Sequence, residues 1–166
     1  MNPLTQVTTK TPLGSLYLIC DEQILIAAGF SNFAALHEKL SIEDRGRKIF
    51  VGKNTRWLTD IVADYFDGDL DAFNSLEVRQ PGSGFSQKAW RAMRRIPSGK
   101  VITYSNLAQK VGSPAAVRAA GTACGRNAIA PIIPCHRIIR SDGTVGNYGY
   151  GVQKKIWLLR HEGAIE

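Results

Sequence analysis

Two short apolar blocks near the start of the chain, Ser15 to Cys20 and Ile24 to Phe30, are separated by the polar Asp21-Glu22-Gln23. Blocks of this length around a polar break predict a β-hairpin, with Thr11-Pro12-Leu13-Gly14 as the turn that precedes it. The period of the pattern then changes. Phe33, Leu36 and Leu40 recur at helical spacing behind Ser31, a suitable N-cap. A longer helix is predicted from about Thr55 to Tyr65 and slightly beyond. There Leu58, Ile61, Val62, Tyr65 and Phe66 fall on one apolar stripe. Nothing in this stretch gathers titratable groups, so residues 1–80 read as an α/β scaffold domain.

Turn formers crowd Arg79-Gln80-Pro81-Gly82-Ser83-Gly84, and a second domain is predicted over 81–166. It opens with a basic helix from Phe85 to Ile96, whose inward face is Phe85, Ala89, Met93 and Ile96, and which Pro97-Ser98-Gly99 ends. Val101 to Tyr104 is short and β-branched. Ser105 is then placed to cap a helix running through Lys110. After the turn Gly112-Ser113-Pro114, an alanine-rich helix follows from Ala115 to about Cys124. Two helices joined by a glycine-containing turn form the helix-turn-helix pattern, so this domain is expected to be mostly α and winged-helix-like. The second helix shows Ala115, Ala116, Ala119, Ala120 and Gly121, with a single Arg118. Small side chains allow close backbone approach, which suits a narrow groove and phosphate contacts better than base-specific readout.

Composition confirms an ordinary globular chain: 166 residues, 44% hydrophobic and 21% charged. No uncharged apolar run approaches the ~18 residues of a membrane span, and Met1 to Lys10 lacks the apolar core of a secretory signal. A soluble protein is expected. Cys20, Cys124 and Cys135 are too few and too scattered for a disulfide framework, which points to a reducing, cytoplasmic setting. The net charge of +7 conceals a division. Residues 1–80 carry 8 Lys and Arg against 11 Asp and Glu, a net of −3, whereas residues 81–166 carry 13 against 3, a net of +10. Between Pro81 and Ser141 no acidic residue interrupts ten basic ones. Charge segregated in this way points to a polyanionic partner for the second half.

The candidate chemistry lies in Pro131-Ile132-Ile133-Pro134-Cys135-His136-Arg137-Ile138-Ile139. A cysteine among isoleucines is ordinarily an inert buried hydrophobe. Here an imidazole and a guanidinium follow it at once, and a neighbouring base or cation is what turns a thiol into a nucleophile. Adjacent side chains rarely hydrogen-bond directly, so a bridging water is expected between Cys135 and His136.

Pro134-Cys135-His136-Arg137, with Asn127 before it and Gly146-Asn147-Tyr148-Gly149 and His161-Glu162-Gly163 after it, resembles the O6-alkylguanine-DNA alkyltransferases. The likeness is nearly continuous from Phe85 to Gly163, through Phe85-Ser86-Gln87-Lys88-Ala89-Trp90, Ile96-Pro97-Ser98-Gly99 and Tyr104-Ser105-Asn106-Leu107-Ala108. The first half matches more loosely, through Thr11-Pro12-Leu13-Gly14 and its hairpin. The resemblance implies a monomeric DNA repair enzyme, a methylated-DNA–protein-cysteine S-methyltransferase. Such a protein takes an alkyl group from guanine O6 in double-stranded DNA onto its own cysteine, irreversibly and once, after base flipping. It needs no cofactor.

By the same resemblance Cys135 is the acceptor, His136 a base acting through water, Glu162 its orienting partner, and Asn127 the organiser of the active-site turn. Tyr104 helps to rotate the nucleotide and donates to the guanine. Arg118 enters the duplex, and Ala116, Ala119 and Arg137 join Tyr104 and Arg118 in contacting DNA. Val145, Tyr148, Gly149 and Tyr150 line the substrate pocket. Ala128 replaces a proline common in relatives, which implies a looser turn with the chemistry intact. Tyr150 stands where relatives with roomy pockets have glycine, so it is expected to narrow the entrance and favour methyl over benzyl groups. Some relatives hold zinc in the first half, where this chain offers only Cys20 and His37 as soft ligands, so no metal is expected.

Three rival functions are weighed against this one. A non-reactive alkyltransferase-like lesion-binding protein would lack the motif cysteine, which is present. A cysteine hydrolase would need an oxyanion hole and a separate orienting partner. A helix-turn-helix transcription factor leaves the Cys-His-Arg cluster without a task.

Overall fold

A mixed sheet and a set of helices account for residues 2–166, which are those described by the computed structural model. By its contacts the chain forms two units. One comprises the chain up to Pro81 together with Ala128–Ile132; the other comprises Gly82–Asn127 and Ile133–Glu166. Among the described residues no helix is long and apolar enough to cross a membrane.

The first unit is built on β1 (Leu4–Thr11), β2 (Gly14–Asp21), β3 (Ile24–Gly29), β4 (Ile49–Val51) and β5 (Glu77–Val78). Their order is β4-β1-β2-β3-β5. The three long strands form an antiparallel meander, and the short edge strands pair in parallel with β1 and β3. Strand β1 is absent from the hydropathy pattern because Leu4 is its sole buried side chain. Its threonines favour an extended chain, but pairing with β2 from Thr5↔Cys20 to Thr11↔Gly14 is what makes it a strand. Thr11 to Gly14 is therefore the loop of a hairpin between β1 and β2, and a second hairpin joins β2 to β3.

Helix α1 (Phe33–Glu38) packs on β2 and β3, and its Leu36 enters a core with Leu4, Ile19, Ile26, Ala27 and Leu40. Its cap is Asn32, whose Oδ1 accepts from the Ala35 amide at 2.8 Å, and not the expected Ser31. An Asn at this position reaches the third backbone donor of the helix, which a residue one step earlier does not. A four-residue α2 (Ile42–Arg45) follows, capped by Ser41. The predicted stripe forms α3 (Arg56–Phe66), burying Leu58, Val62 and Tyr65.

This unit also holds a cluster of charges that contradicts the reading of it as free of titratable groupings. Arg47 Nη1 lies 2.8 Å from Asp21 and 3.0 Å from Asp44, and Arg79 lies 2.7 and 2.6 Å from the same two carboxylates. These residues are far apart along the chain and meet only through the sheet.

One inserted segment escapes a single cut at 80/81. Ile129 bridges Ala28 in parallel, with Ala28 N donating to Ala128 O at 2.8 Å and Ala130 N to Ala28 O at 3.1 Å. The buried Gln80 side chain accepts from the Ala128 amide at 2.8 Å. Ala128–Ile132 thus extends the edge of the first unit although it sits deep in the second half of the sequence.

The second unit contains α4 (Gly84–Arg94), β6 (Ile102–Thr103), α5 (Tyr104–Lys110), α6 (Val117–Gly125), β7 (Ile138–Ile139) and α7 (Val152–His161). Helix α4 buries Ala89, Trp90 and Met93, and the Trp90 indole donates to Ala123 O at 2.9 Å, tying α4 to α6. Helix α5 begins at Tyr104, because Thr103 and Asn106 form a capping box; Ser105 is already inside the helix. Helix α6 starts at Val117, two residues later than the alanine pattern predicts. Ala115 and Ala116 belong to the preceding turn, closed by Ala116 N to Ser113 O at 2.8 Å. Helix α7 buries Leu158 and Leu159 and, with them, the fully buried Lys155.

Candidate active site

The segment Ile133–Pro134 leads into a 3₁₀ turn, Cys135–Arg137, and then into β7, which pairs in parallel with β6 through Ile102↔Ile138 and Thr103↔Ile139. The buried Asn127 Nδ2 donates to Ile133 O at 2.8 Å. That bond joins the two points where the chain leaves and re-enters this unit, and so sets the start of the Cys135 turn. The β6–β7 pairing places Tyr104, first residue of α5, alongside it.

His136 and Arg137 both turn into the interior and meet one carboxylate. His136 Nε2 lies 2.9 Å from Glu162 Oε2. Arg137 Nε and Nη2 donate to the two Glu162 oxygens at 2.9 and 3.0 Å, a bidentate pair. Arg137 Nη1 donates to Ile96 O at 2.6 Å. Burial acts to raise the Glu162 carboxyl, but the hydrogen bonds and charge of its two partners outweigh it and hold it well below the usual carboxylate range. Burial lowers the His136 imidazole, and the pull of Glu162 only partly offsets it, so the ring is neutral near pH 7. An ionised carboxylate accepts only, which puts the ring proton on Nε2 and leaves the lone pair on Nδ1. Nδ1 is buried and has no hydrogen-bond partner among the described residues.

Arg137 is therefore no DNA contact. It is 7% exposed and its guanidinium is committed to Glu162 and Ile96.

A cavity of about 700 Å³ opens on Cys135, with Tyr104, Arg118, Cys124, Tyr148 and Gly149 among its walls. Burial, and to a lesser degree the two thiols, pushes the Tyr104 phenol up to about 12, so it remains a proton donor. Arg118 is exposed on the first turn of α6. Ala116 and Ala119 are partly buried on α6 or just before it and do not line the cavity. Val145 and Tyr150 do not line it either. Tyr150 stands behind Tyr148, ring against edge at 5.8 Å, and Tyr148 in turn lies edge-on to His136 at 6.5 Å. Tyr150 thus packs against a wall of the cavity, Tyr148, and is close enough to feel the charge of Cys135.

Residues 84–164 match the model of a family described as 6-O-methylguanine DNA methyltransferase, DNA binding domain. Across nearly the whole chain, the sequence is 43% identical to a methylated-DNA–protein-cysteine methyltransferase of Salmonella typhimurium, covering 98% of this chain and 97% of that one. The chain belongs to the methylated-DNA–protein-cysteine methyltransferase family. A relative of the same name from Shigella flexneri is 41% identical over the same shares. The fold matches the crystal structure of Mycobacterium tuberculosis OGT in complex with DNA with a TM-score of 0.78 at 30% identity, covering 98% of this chain and 94% of that one.

Within this methyltransferase, two residues near Cys135 had no place in the sequence reading. Lys155 is fully buried, donates to Ile138 O at 2.7 Å and Asn147 O at 3.1 Å, and lies 5.9 Å from the Tyr104 ring centroid. It ties the strand after the Cys135 turn to the loop that carries Tyr148. Its sequence signal was a lysine three and four residues ahead of Leu158 and Leu159, on the apolar side of a helix. Cys124 lies in the last turn of α6 and shares the cavity with Cys135.

Proposed function

We propose that this protein repairs double-stranded DNA by moving an alkyl group from guanine O6 to its own Cys135, once per molecule. The observation that carries the reading is the His136 ring: buried, neutral, protonated toward Glu162, and offering an unpartnered Nδ1 next to Cys135 in sequence. Nδ1 takes the thiol proton through one water, and the proton's charge is balanced by Glu162, which Arg137 keeps ionised and in place. The Cys135 sulfur attacks the alkyl carbon, the sulfur–carbon bond forms as the carbon–O6 bond breaks, and guanine departs. Negative charge developing on the base is met by the Tyr104 hydroxyl. The thioether product is stable, so no second step regenerates the thiol.

The alkyl carbon is shielded inside a duplex, and the base must be extruded at a cost of a few kcal/mol. Helices α5 and α6 act as a helix-turn-helix of winged-helix type, and the small side chains of α6, Ala116 and Ala119 with them, let its backbone approach the minor groove. Arg118 fills the space that the base leaves. Ten basic residues uninterrupted by acid between Pro81 and Ser141 favour phosphate contacts without sequence preference. Three scattered cysteines, one of them the reactive thiol, support a reducing, cytoplasmic setting.

The test is incubation with duplex DNA containing O6-methylguanine, followed by intact mass and peptide mapping. One methyl group per molecule at Cys135, absent from Cys135→Ala, is expected. Lesion binding without transfer would establish the non-reactive alternative, and repeated turnover would establish a hydrolase.

A further inference from the structure

Cys124 and Cys135 are eleven positions apart in sequence, yet both line the same cavity, whose surface is predominantly apolar. Cys124 is held there by α6, whose last turn it occupies, and Cys135 by the 3₁₀ turn. A transferase that uses one thiol has no need of a second in its substrate chamber. Cys124 has no role in removing a methyl group, because a methyl carbon has no second reactive position.

We propose that Cys124 is a second acceptor, which captures the far end of a two-ended alkyl group after Cys135 has taken the near end. The substrate class is guanine carrying a 2-haloethyl group at O6. This rests on Cys135 being the primary acceptor. In the first step the Cys135 sulfur bonds to the carbon on O6, and guanine leaves. The resulting 2-chloroethyl thioether is itself an electrophile: the Cys135 sulfur displaces chloride to give a three-membered sulfonium ring. The Cys124 sulfur then attacks a ring carbon, and the opened carbon–sulfur bond returns its electron pair to the Cys135 sulfur. The Cys124 proton passes to solvent. Hydrogen chloride is lost overall, and a two-carbon thioether bridge joins the cysteines.

The environment suits this division of labour. Burial, reinforced by the neighbouring Cys135, pushes the Cys124 thiol well above its ordinary range, so it remains protonated and does not compete for the first transfer. A cyclic sulfonium ion needs no activated nucleophile, and Cys124 is the other thiol that lines the cavity. Without capture, the ion reacts with water to leave a hydroxyethyl group, or with a DNA nitrogen to fasten the protein to the duplex.

The experiment compares wild type, Cys124→Ala and Cys124→Ser after exposure to duplex DNA freshly chloroethylated at guanine O6. Products are resolved by intact mass and peptide mapping. Wild type should yield a bridged Cys124–Cys135 peptide pair and little DNA-linked protein. Both variants should yield hydroxyethylated Cys135, with DNA-linked protein raised several-fold. A wild-type product confined to hydroxyethyl or DNA-linked Cys135 would overturn the proposal. Methyl transfer from O6-methylguanine DNA, run in parallel on all three proteins, separates this outcome from failure of the primary reaction: loss of methylation at Cys135 in wild type would overturn both.

Discussion

Nε2 of His136 and a carboxylate oxygen of Glu162 lie 2.9 Å apart with both side chains sealed from solvent. The same carboxylate carries a bidentate Arg137, so Glu162 anchors two neighbours of Cys135 at once. Removing one member of such a buried set strands the others. Glu162→Ala should destabilise the protein by roughly 3–5 kcal/mol, because Arg137 is left buried and uncompensated. Urea unfolding measures this. A loss below about 1 kcal/mol, the range of surface pairs, would mean that water reaches the cluster.

The depressed His136 basicity fixes the shape of the pH profile. An ordinary imidazole protonates near about 6.5, and burial moves that transition lower. The single-turnover rate of methyl transfer should therefore stay level as pH falls through about 6.5 and decline only below it. The same shift has a stability consequence. The unfolded chain binds a proton below its own pKa that the folded protein refuses, so this contribution is present above the unfolded value and is lost as pH falls. A rate halved at the ordinary imidazole pKa would contradict the buried, neutral ring.

Lys155 tests whether the loop carrying Tyr148 is positioned from below. Lys155→Met keeps most of the volume but loses the bonds to Ile138 O and Asn147 O. Those two carbonyls then lack a donor, a cost of about 1–3 kcal/mol. Transfer should slow alike for the methyl group of O6-methylguanine in DNA and for the benzyl group of free O6-benzylguanine, since the loop lines the cavity. A selective loss on DNA would assign Lys155 to duplex binding.

Stronger acid should act on the charge cluster of the sheet unit. Asp21 is held at about 2, chiefly by its hydrogen bond to Arg47, with Arg79 adding to it, and Asp44 is lowered by Arg79 against the opposing effect of burial. Carboxylates with depressed values contribute stability above their unfolded pKa, near about 4, and lose it as pH falls toward the folded value. The urea midpoint should drop across this interval, and Arg79→Met should flatten the drop. An unchanged pH dependence in that variant would show that the cluster adds nothing.

Tyr150 packs against Tyr148, which lines the cavity. Tyr150→Gly should free the Tyr148 ring to move and speed inactivation by free O6-benzylguanine, with little change for O6-methylguanine in DNA. Equal rates of inactivation in the variant and wild type would remove Tyr150 from control of alkyl size.

The sequence by itself determined the local and the compositional. Two apolar blocks around a polar break located the hairpin at Asp21 to Gln23, and a helical period located the stripe of α3, since burial of one helix face leaves its period in the chain. Cys135 and His136 could be singled out because a titratable pair among isoleucines breaks the surrounding pattern. Charge segregation showed which half meets a polyanion. Other features were decided only by tertiary structure, because they depend on which backbone groups lie across from one another. Strand β1 exists through its pairing with β2, and Ala128–Ile132 joins the first unit through hydrogen bonds to Ala28. Arg137 reads as one more cation of a basic half until Glu162 and Ile96 O are placed around it. Lys155 has no assigned task in the sequence until two carbonyls are placed around its ammonium group. A charge has no intrinsic side of the fold; its partners assign it one, and they come from distant parts of the chain.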